Sequence, residues 1–294
     1  MNTDRARSRS FPGVGTDADG PEDRGAYGLT VPSDWPAERF VASPAAWTRW
    51  RFEWVQEDVR REPERVDDDI AVLNIEPAGQ VVIERDVARS TLRLAHEPTN
   101  EAWVHPHLAS TAVTAARWAG REPFHGGALV VDGRVWGVLG EREAGKSSVL
   151  AWSHLHGVPI FSDDVLVIDG ESVLAGPRCI DLREGAAAQF GIGTPIGVAG
   201  SRERWRVPLG PIEPVLPFGG WVVLDWSDEL SVTDVPPPSR LRLLLAARAV
   251  LLPEHDAPAW LRLLQWPVLA FRRPKRWDQV DGAMARLFDE LSRR

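Results

Sequence analysis

Gly140-Glu141-Arg142-Glu143-Ala144-Gly145-Lys146-Ser147 fits the phosphate-binding pattern G-x-x-x-x-G-K-[ST]. Lys146 is one of only two lysines among the 34 basic residues, so almost every other positive charge is an arginine. A compact ammonium can curl under a phosphate where a planar guanidinium does not fit. The glycines let backbone N–H groups converge on an anion, and the Ser147 hydroxyl can bind a phosphate-bound Mg²⁺. The other interpretation of this stretch is a polar turn before a helix.

The flanking residues predict a strand, a loop and a helix. Residues 134–139 read as a short buried strand, and residues 147–156 as a helix that ends at Gly157. The helix N-terminus then points at the loop, where its partial positive charge favours an anion. A second apolar strand, 158–162, ends in Asp163 and Asp164. If it runs parallel to the first, these carboxylates lie at the same sheet edge as the loop.

These features resemble the catalytic domain of the HPr kinase/phosphorylase (HprK-like) family. In that family a histidine opens a strand, as His125 does in Phe124-His125-Gly126-Gly127, and a hairpin leads to the phosphate-binding loop. The spacing is similar too, with Gly157 11 residues and Asp163 17 residues after Lys146. The segment Pro177-Arg178-Cys179-Ile180-Asp181-Leu182-Arg183 resembles a strand of the same group. The likeness covers residues 105–250 and is strongest over 124–170.

The resemblance implies an ATP-dependent kinase and a role for each matching residue. Lys146 and the loop amides would hold the phosphates of ATP, and Mg²⁺ would be bound through Ser147 and one of Asp163 or Asp164. The other aspartate would accept the proton of a substrate hydroxyl. His125 would hydrogen-bond a catalytic carboxylate or a phosphate. The expected nucleotide-binding residues are Gly140, Glu141, Arg142, Glu143, Ala144, Gly145, Lys146, Ser147 and Ser148.

Departures from the family pattern favour a divergent member with its own acceptor. Ser148 stands where the HPr-specific enzymes have Glu, and the interior Glu141-Arg142-Glu143 is more charged than usual. The resemblance then implies phosphorylation of a serine in a peptide or protein, such as a ribosomal peptide precursor. Two alternatives stay open: a regulatory NTPase or sensor that binds nucleotide without phosphorylating an acceptor, and a kinase for a small molecule.

The predicted organisation has three parts. Residues 1–25 are polar and expected to be disordered, residues 26–121 form a smaller β-rich module, and residues 122–294 form an α/β P-loop kinase domain. Strands are expected at 70–76, 80–85, 90–96 and 221–224, and helices at 106–119, 239–252 and 278–291. Residues 47–55 alternate as a strand does, although 45–59 could also form a helix.

Composition limits the partners. The net charge of −8 gives no electrostatic reason to expect nucleic acid or an anionic membrane. The longest apolar stretch, 241–252, is interrupted by Arg242 and Arg248 and is too short to span a bilayer. A single cysteine, Cys179, allows no internal disulfide and fits a cytoplasmic protein, in which we expect it to be inert in the core. The oligomeric state stays open.

Two regions bear on substrate binding. Residues 185–200 have no periodicity and are expected to form a mobile loop. In an extended segment after it, Arg202, Arg204 and Arg206 would share one face and could contact a phosphate or an acidic substrate. Their replacement would then weaken acceptor binding with little change in stability; the alternative is a solvated edge strand.

His105 and His107, like His154 and His156, lack the helical spacing of a zinc pair and are not expected to bind metal.

Overall fold

The computed structural model describes residues 22–57, 62–75, 79–199, 201–249 and 257–294. Over these residues the protein is a mixed α/β structure with several sheets. Most of the predicted disordered tail, residues 1–21, lies outside the described residues, and the first strand begins at Arg24, inside the predicted tail. Residues 250–252 of the predicted helix 239–252 also lie outside the described ranges.

The N-terminal part builds two small sheets and the helices that connect them to the rest. Its described elements are β1 (Arg24–Ala26), β2 (Leu29–Thr30), β3 (Val41–Ala42), β4 (Thr48–Arg49), β5 (Arg51–Gln56), β6 (Arg65–Val66), β7 (Ile70–Ile75), β8 (Gly79–Glu84), β9 (Arg89–Leu94), α1 (Asn100–Ala102) and α2 (Leu108–Trp118). The sheets have the orders β3-β1-β2-β4 and β5-β9-β8-β7-β6. Residues 51–56 are therefore a strand and not a helix.

The remaining elements form the main sheet, a smaller sheet and the helices that cover them. They are β10 (Glu122–His125), β11 (Gly127–Val131), β12 (Arg134–Leu139), α3 (Lys146–Leu155), β13 (Ile160–Ser162), β14 (Val165–Asp169), β15 (Ser172–Leu174), β16 (Cys179–Leu182), α4 (Glu184–Phe190), β17 (Thr194–Ala199), β18 (Arg202–Pro208), β19 (Val215–Trp226), β20 (Ser231–Asp234), α5 (Pro237–Ala246), α6 (Ala257–Gln265), β21 (Val268–Arg273) and α7 (Val280–Leu291). The main sheet has the order β10-β14-β15-β19-β12-β11-β13, with β21 pairing to β19 and β20.

The directions of the strands determine which loops lie together at one edge of the main sheet. β12, β19 and β21 are parallel neighbours. β13 runs in the same direction as β12, because the strand between them, β11, is antiparallel to both. β12 and β13 therefore meet the condition under which the aspartates lie at the same sheet edge as the loop, although the two strands are not adjacent. The segments that follow Leu139, Ser162, Trp226 and Arg273 all leave from the same edge.

Alternating side chains of the main sheet pack into two apolar cores. On β12, Val135 and Leu139 join the core that contains α2 and the N-terminal sheets, while Trp136 and Val138 join the core that contains α3 and α7. This alternation is what a strand covered on both faces requires. The first core extends across residue 121, so the N-terminal module packs directly on the main sheet; the domain boundary itself stays a prediction.

The prediction that residues 185–200 form a mobile loop is wrong, because α4 and β17 occupy most of this range. α4 buries only Ala187, and β17 is largely exposed, so neither leaves a periodic apolar pattern in the sequence. The extended segment predicted after it is β18. This strand lies in the centre of the sheet β16-β18-β17, so it is not the solvated edge strand considered above; that position belongs to β17.

Cys179 lies in β16, is 5% exposed, and its burial raises the pKa of the thiol to about 12. This agrees with an inert core residue. In the part of the chain that the structure describes, no helix combines the length and apolarity needed to cross a membrane.

Candidate functional site

The Gly140–Ser147 loop connects β12 to α3, and Lys146 curls back over it. The Lys146 Nζ donates to the carbonyl oxygens of Gly140 at 2.7 Å and Glu141 at 3.1 Å. Burial lowers the pKa of Lys146, although the nearby charges of Asp164 and Asp163 act in the opposite direction. The ammonium is thus held against the start of the loop, close enough for its charge to interact with both aspartates.

Glycine is required at both ends of this loop. Gly140 and Gly145 have φ of +155° and +86°, which L-residues with side chains rarely adopt. A Cβ on Gly140 would lie 2.9 Å from the Cβ of Ala144, and one on Gly145 would lie 2.6 Å from Nη2 of Arg273. The loop therefore has a tight interior that only these glycines allow.

Side chains from the ends of β19 and β21 hold the outer side of the loop. The Trp226 Nε1 donates to the Glu143 carbonyl at 3.1 Å, and Arg273 Nη2 donates to the Ala144 carbonyl at 2.8 Å. The Arg273 guanidinium also lies 4.3 Å from the centre of the Trp226 ring, and burial lowers the pKa of Arg273 to about 10. Arg183, which directly follows β16, donates from Nη1 to Glu143 Oε1 at 2.9 Å. The loop is thus held by residues at, or just after, the ends of three other strands.

Asp163 and Asp164 form a turn whose backbone is held from several sides. Tyr27 donates its hydroxyl to the Asp163 carbonyl at 3.1 Å, and the Gly126 N–H donates to the Asp164 carbonyl at 3.0 Å. The Asp181 N–H donates to Oδ2 of Asp163 at 3.0 Å. Asp164 has φ of +67°, a conformation that this turn imposes.

The Asp164 side chain is contacted by two histidines. His105 Nε2 lies 3.0 Å from Asp164 Oδ2, and His125 Nδ1 lies 3.4 Å from Asp164 Oδ1. The other ring nitrogen of His105, Nδ1, lies 3.0 Å from Oδ2 of Asp181. Asp181 is in turn bound by Arg206 through two hydrogen bonds of 2.7 Å. The predicted position of His125 beside a carboxylate agrees with this geometry.

The pKa values of the two aspartates move in opposite directions. Burial and the neighbouring Asp164 charge raise the pKa of Asp163 to about 6. Burial also acts against the charge of Asp164, but the hydrogen bond and charge of His105 outweigh it and hold the pKa of Asp164 below its usual value. Burial disfavours the imidazolium of His105, yet its hydrogen bonds to Asp164 and Asp181 raise its pKa to about 10.

Of the residues predicted from the sequence, most come together at this edge. Lys146, His125 and the Asp163–Asp164 turn surround one region, with Ser147 and Ser148 partly exposed in the first turn of α3. Glu141, Arg142 and Glu143 are exposed at the tip of the loop.

The three arginines of β18 do not act as one group. Arg206 is buried, and its guanidinium is bound to Asp181 and to Glu101. It cannot contact an acceptor, so the expectation that all three arginines could be replaced with little change in stability is corrected for Arg206. Arg202 and Arg204 are partly exposed, and the charge of Arg204 acts on Asp164. For these two, a substrate contact stays a prediction.

His105, Asp181 and Tyr27 belong to the site but were not identified from the sequence. His105 has an extended backbone (φ −158°, ψ 127°) between α1 and α2, as expected for a residue that precedes a proline. The available signal was Asp181, a carboxylate inside a strand of otherwise apolar residues, because such a buried charge requires a partner.

Within the described ranges, no group of three or more His, Cys, Asp or Glu side chains is arranged to hold a metal ion. A Mg²⁺ ion bound through Ser147 and one aspartate would take its remaining ligands from phosphate and water. That ion and ATP both stay predictions.

No family model matches this sequence, and no curated protein matches it. By structure, the chain is similar to the HPr(Ser) kinase/phosphatase from Coxiella burnetii, with a TM-score of 0.29 and 12% sequence identity. The match covers 57% of this chain and 97% of that one. These values mark a distant structural relation.

Arg206→Ala should destabilise the protein. It would leave the buried Asp181 without its guanidinium partner, and breaking a buried ion pair in this way costs about 3–5 kcal/mol. Arg202→Ala, on the same face of β18 but partly exposed, is the matched control and should change the free energy of unfolding by less than about 0.5 kcal/mol. Urea unfolding of both variants measures this; similar losses from the two would contradict the structural role of Arg206.

Proposed function

We propose that this protein is an ATP-dependent kinase that transfers the γ-phosphate to a hydroxyl group, a serine of a peptide or protein. The observation that carries the proposal is the meeting, at one sheet edge, of a glycine-dependent loop carrying Lys146 with the Asp163–Asp164 turn. Phosphoryl transfer needs little more from a protein than positioning and charge stabilisation, and these groups supply both.

The loop fits the phosphates of a nucleotide. Its glycines allow the tight path of the loop, and α3 begins at Lys146 with no side-chain cap on its first N–H groups. Free N–H groups at a helix start, beside a lysine ammonium, favour an anion. Trp226 and Arg273 donate hydrogen bonds to the loop carbonyls of Glu143 and Ala144, so the loop needs little reorganisation when a nucleotide binds. Lys146 is then proposed to exchange its two loop carbonyls for phosphate oxygens.

The carboxylates provide the two further functions that the reaction requires. One of Asp163 and Asp164, with the hydroxyl of Ser147, is proposed to hold Mg²⁺, whose chemistry is to neutralise charge on the phosphates. The other accepts the proton of the acceptor hydroxyl. The charge of Lys146 acts on both aspartates, and His125 lies beside Asp164 in the same region.

An open groove of about 390 Å³ beside His125 gives an acceptor a route to the carboxylates. It is lined by Ala109, Ser110, Val113, His125, Val165, Ala246, Arg248 and Ala249. Its walls are mostly small side chains, so the groove can accept a segment of extended chain.

Lys146→Ala should fold normally and lose phosphoryl transfer. Removing a group that stabilises transition-state charge lowers the rate by about 10²–10³. The only other lysine, Lys275, is exposed near the same edge, 5.8 Å from the Trp226 ring, which makes Lys275→Ala the matched control. Release or transfer of phosphate from γ-labelled ATP measures both; wild-type rates for Lys146→Ala would refute the assignment.

Asp163→Asn and Asp164→Asn should each abolish most turnover but differ in nucleotide binding. A metal ligand supports the binding of MgATP, whereas a proton acceptor acts only in the chemical step. Calorimetric affinity for MgATP beside turnover should therefore show one variant with reduced affinity and one that binds as the wild type does. If both variants turn over normally, the pair is structural.

Ser110→Trp should block the acceptor and spare the nucleotide. Ser110 is a partly exposed residue on the groove wall, and an indole there fills much of the opening. With a serine peptide that the wild-type protein phosphorylates, KM for the peptide should rise at least about tenfold, equivalent to about 1.4 kcal/mol. ATP affinity should stay constant, and Ser110→Ala should behave as the wild type. An unchanged peptide KM in Ser110→Trp would exclude the groove.

A further inference from the structure

A chain of alternating charges runs from the N-terminal module to the candidate site. It starts at Glu101, continues through Arg206, Asp181 and His105, and ends at Asp164. The side chains of Arg206 and Asp181 are 2% exposed and that of His105 is 12% exposed, whereas Asp164 is 37% exposed. Glu101, at the other end, is 35% exposed, so both ends of this charge chain are partly accessible, and Asp164 is the end that lies in the candidate site.

Each member of the chain is held in one orientation by the member before it. Arg206 meets both oxygens of Asp181, with Nε and Nη2 each at 2.7 Å, a geometry that fixes the carboxylate plane. Arg206 also donates to the carbonyls of Glu101 at 3.0 Å and His105 at 3.4 Å, which ties the guanidinium to the segment that carries His105. Asp181 then fixes the imidazole ring through Nδ1.

Both ring nitrogens of His105 face carboxylate oxygens at 3.0 Å. A carboxylate only accepts, so both nitrogens donate, and the ring has no freedom left to turn. Asp164 would otherwise rotate about its side-chain bonds more freely, because His125, its second ion-pair partner among the described residues, is farther away at 3.4 Å and 53% exposed. His105 is thus the group that determines where the Asp164 carboxylate points.

Stability alone is a poor reason for such an arrangement. Replacing buried ion pairs by apolar residues of similar size is often neutral or stabilising, because taking charges out of water is costly. What this charge chain provides is one defined geometry for the Asp164 carboxylate. Rate depends steeply on such geometry, since a misplacement of about 1 Å can cost about 10²-fold.

We propose that His105 is a positioning residue for Asp164, through which the N-terminal module completes the phosphoryl-transfer site. This inference rests on the proposed kinase function. It assigns the module a direct part in the reaction: without His105, the kinase domain would retain its loop and both aspartates but lack a fixed carboxylate.

The two nitrogens of His105 can be tested separately. A glutamine amide stands about where Nε2 does and can keep the hydrogen bond to Asp164, whereas an asparagine amide stands about where Nδ1 does and keeps only the bond to Asp181. His105→Gln should keep turnover within about threefold of the wild type. His105→Asn and His105→Ala should lose about 10–100-fold, as is usual when the partner of a functional ligand is removed.

The measurements are phosphate release from γ-labelled ATP in the presence of Mg²⁺ and urea unfolding of every variant. A purely structural His105 would give turnover that follows stability, so His105→Gln and His105→Asn would differ only as their unfolding free energies do. Loss of turnover in His105→Asn at a stability no lower than that of His105→Gln supports the positioning role. Equal turnover of the two amide variants, in an active wild-type background, overturns it and leaves the kinase function intact. A wild-type protein that neither binds MgATP nor releases phosphate overturns both.

Discussion

The ion pair between Arg206 and Asp181 is the contact on which the geometry of the candidate site depends. The two residues lie directly opposite each other on β18 and β16, so the pair also fixes the register of these strands. A shift of one residue would turn Arg206 to the other face and leave both charges buried without partners. The same guanidinium binds Glu101 of α1, and Asp181 binds His105. One pair of charges therefore joins the small sheet, the N-terminal module and the Asp163–Asp164 turn.

A second constraint is the common direction of β13, β12, β19 and β21. Parallel strands deliver the segments that follow them to one edge, and here those segments contain the aspartates, the glycine loop, Trp226 and Arg273. The loop could bend in many ways if only its own residues held it. Because Trp226 and Arg273 bind two consecutive carbonyls, at Glu143 and Ala144, its path is fixed before any ligand binds.

A short sequence pattern can represent local contacts but not distant ones. Lys146 reaches carbonyls only five and six residues earlier, so a short pattern contains most of its geometry. His105 binds carboxylates 59 and 76 residues away, which no spacing rule connects. Alternation correctly placed Arg202, Arg204 and Arg206 on one face of a strand. It could not show that Arg206 alone is buried, because that depends on Glu101 and Asp181, which other elements bring to that face.

Two residues of the candidate site have strained backbone conformations. Over the described residues, left-handed φ values occur at the non-glycine residues Tyr27, Ala88, Asp132, Glu143 and Asp164. Tyr27, Ala88 and Asp132 lie in the turns between β1 and β2, between β8 and β9, and between β11 and β12, where such values are common. The other two are in the candidate site, Glu143 in the glycine loop and Asp164 in the aspartate turn. Each such residue costs on the order of 1–3 kcal/mol and persists only when its neighbours hold it. Arg183 and Trp226 hold Glu143, and Gly126 and His105 hold Asp164. The contacts that compensate this strain are thus the same ones that orient the loop and the carboxylate, so stability and positioning are linked in this site.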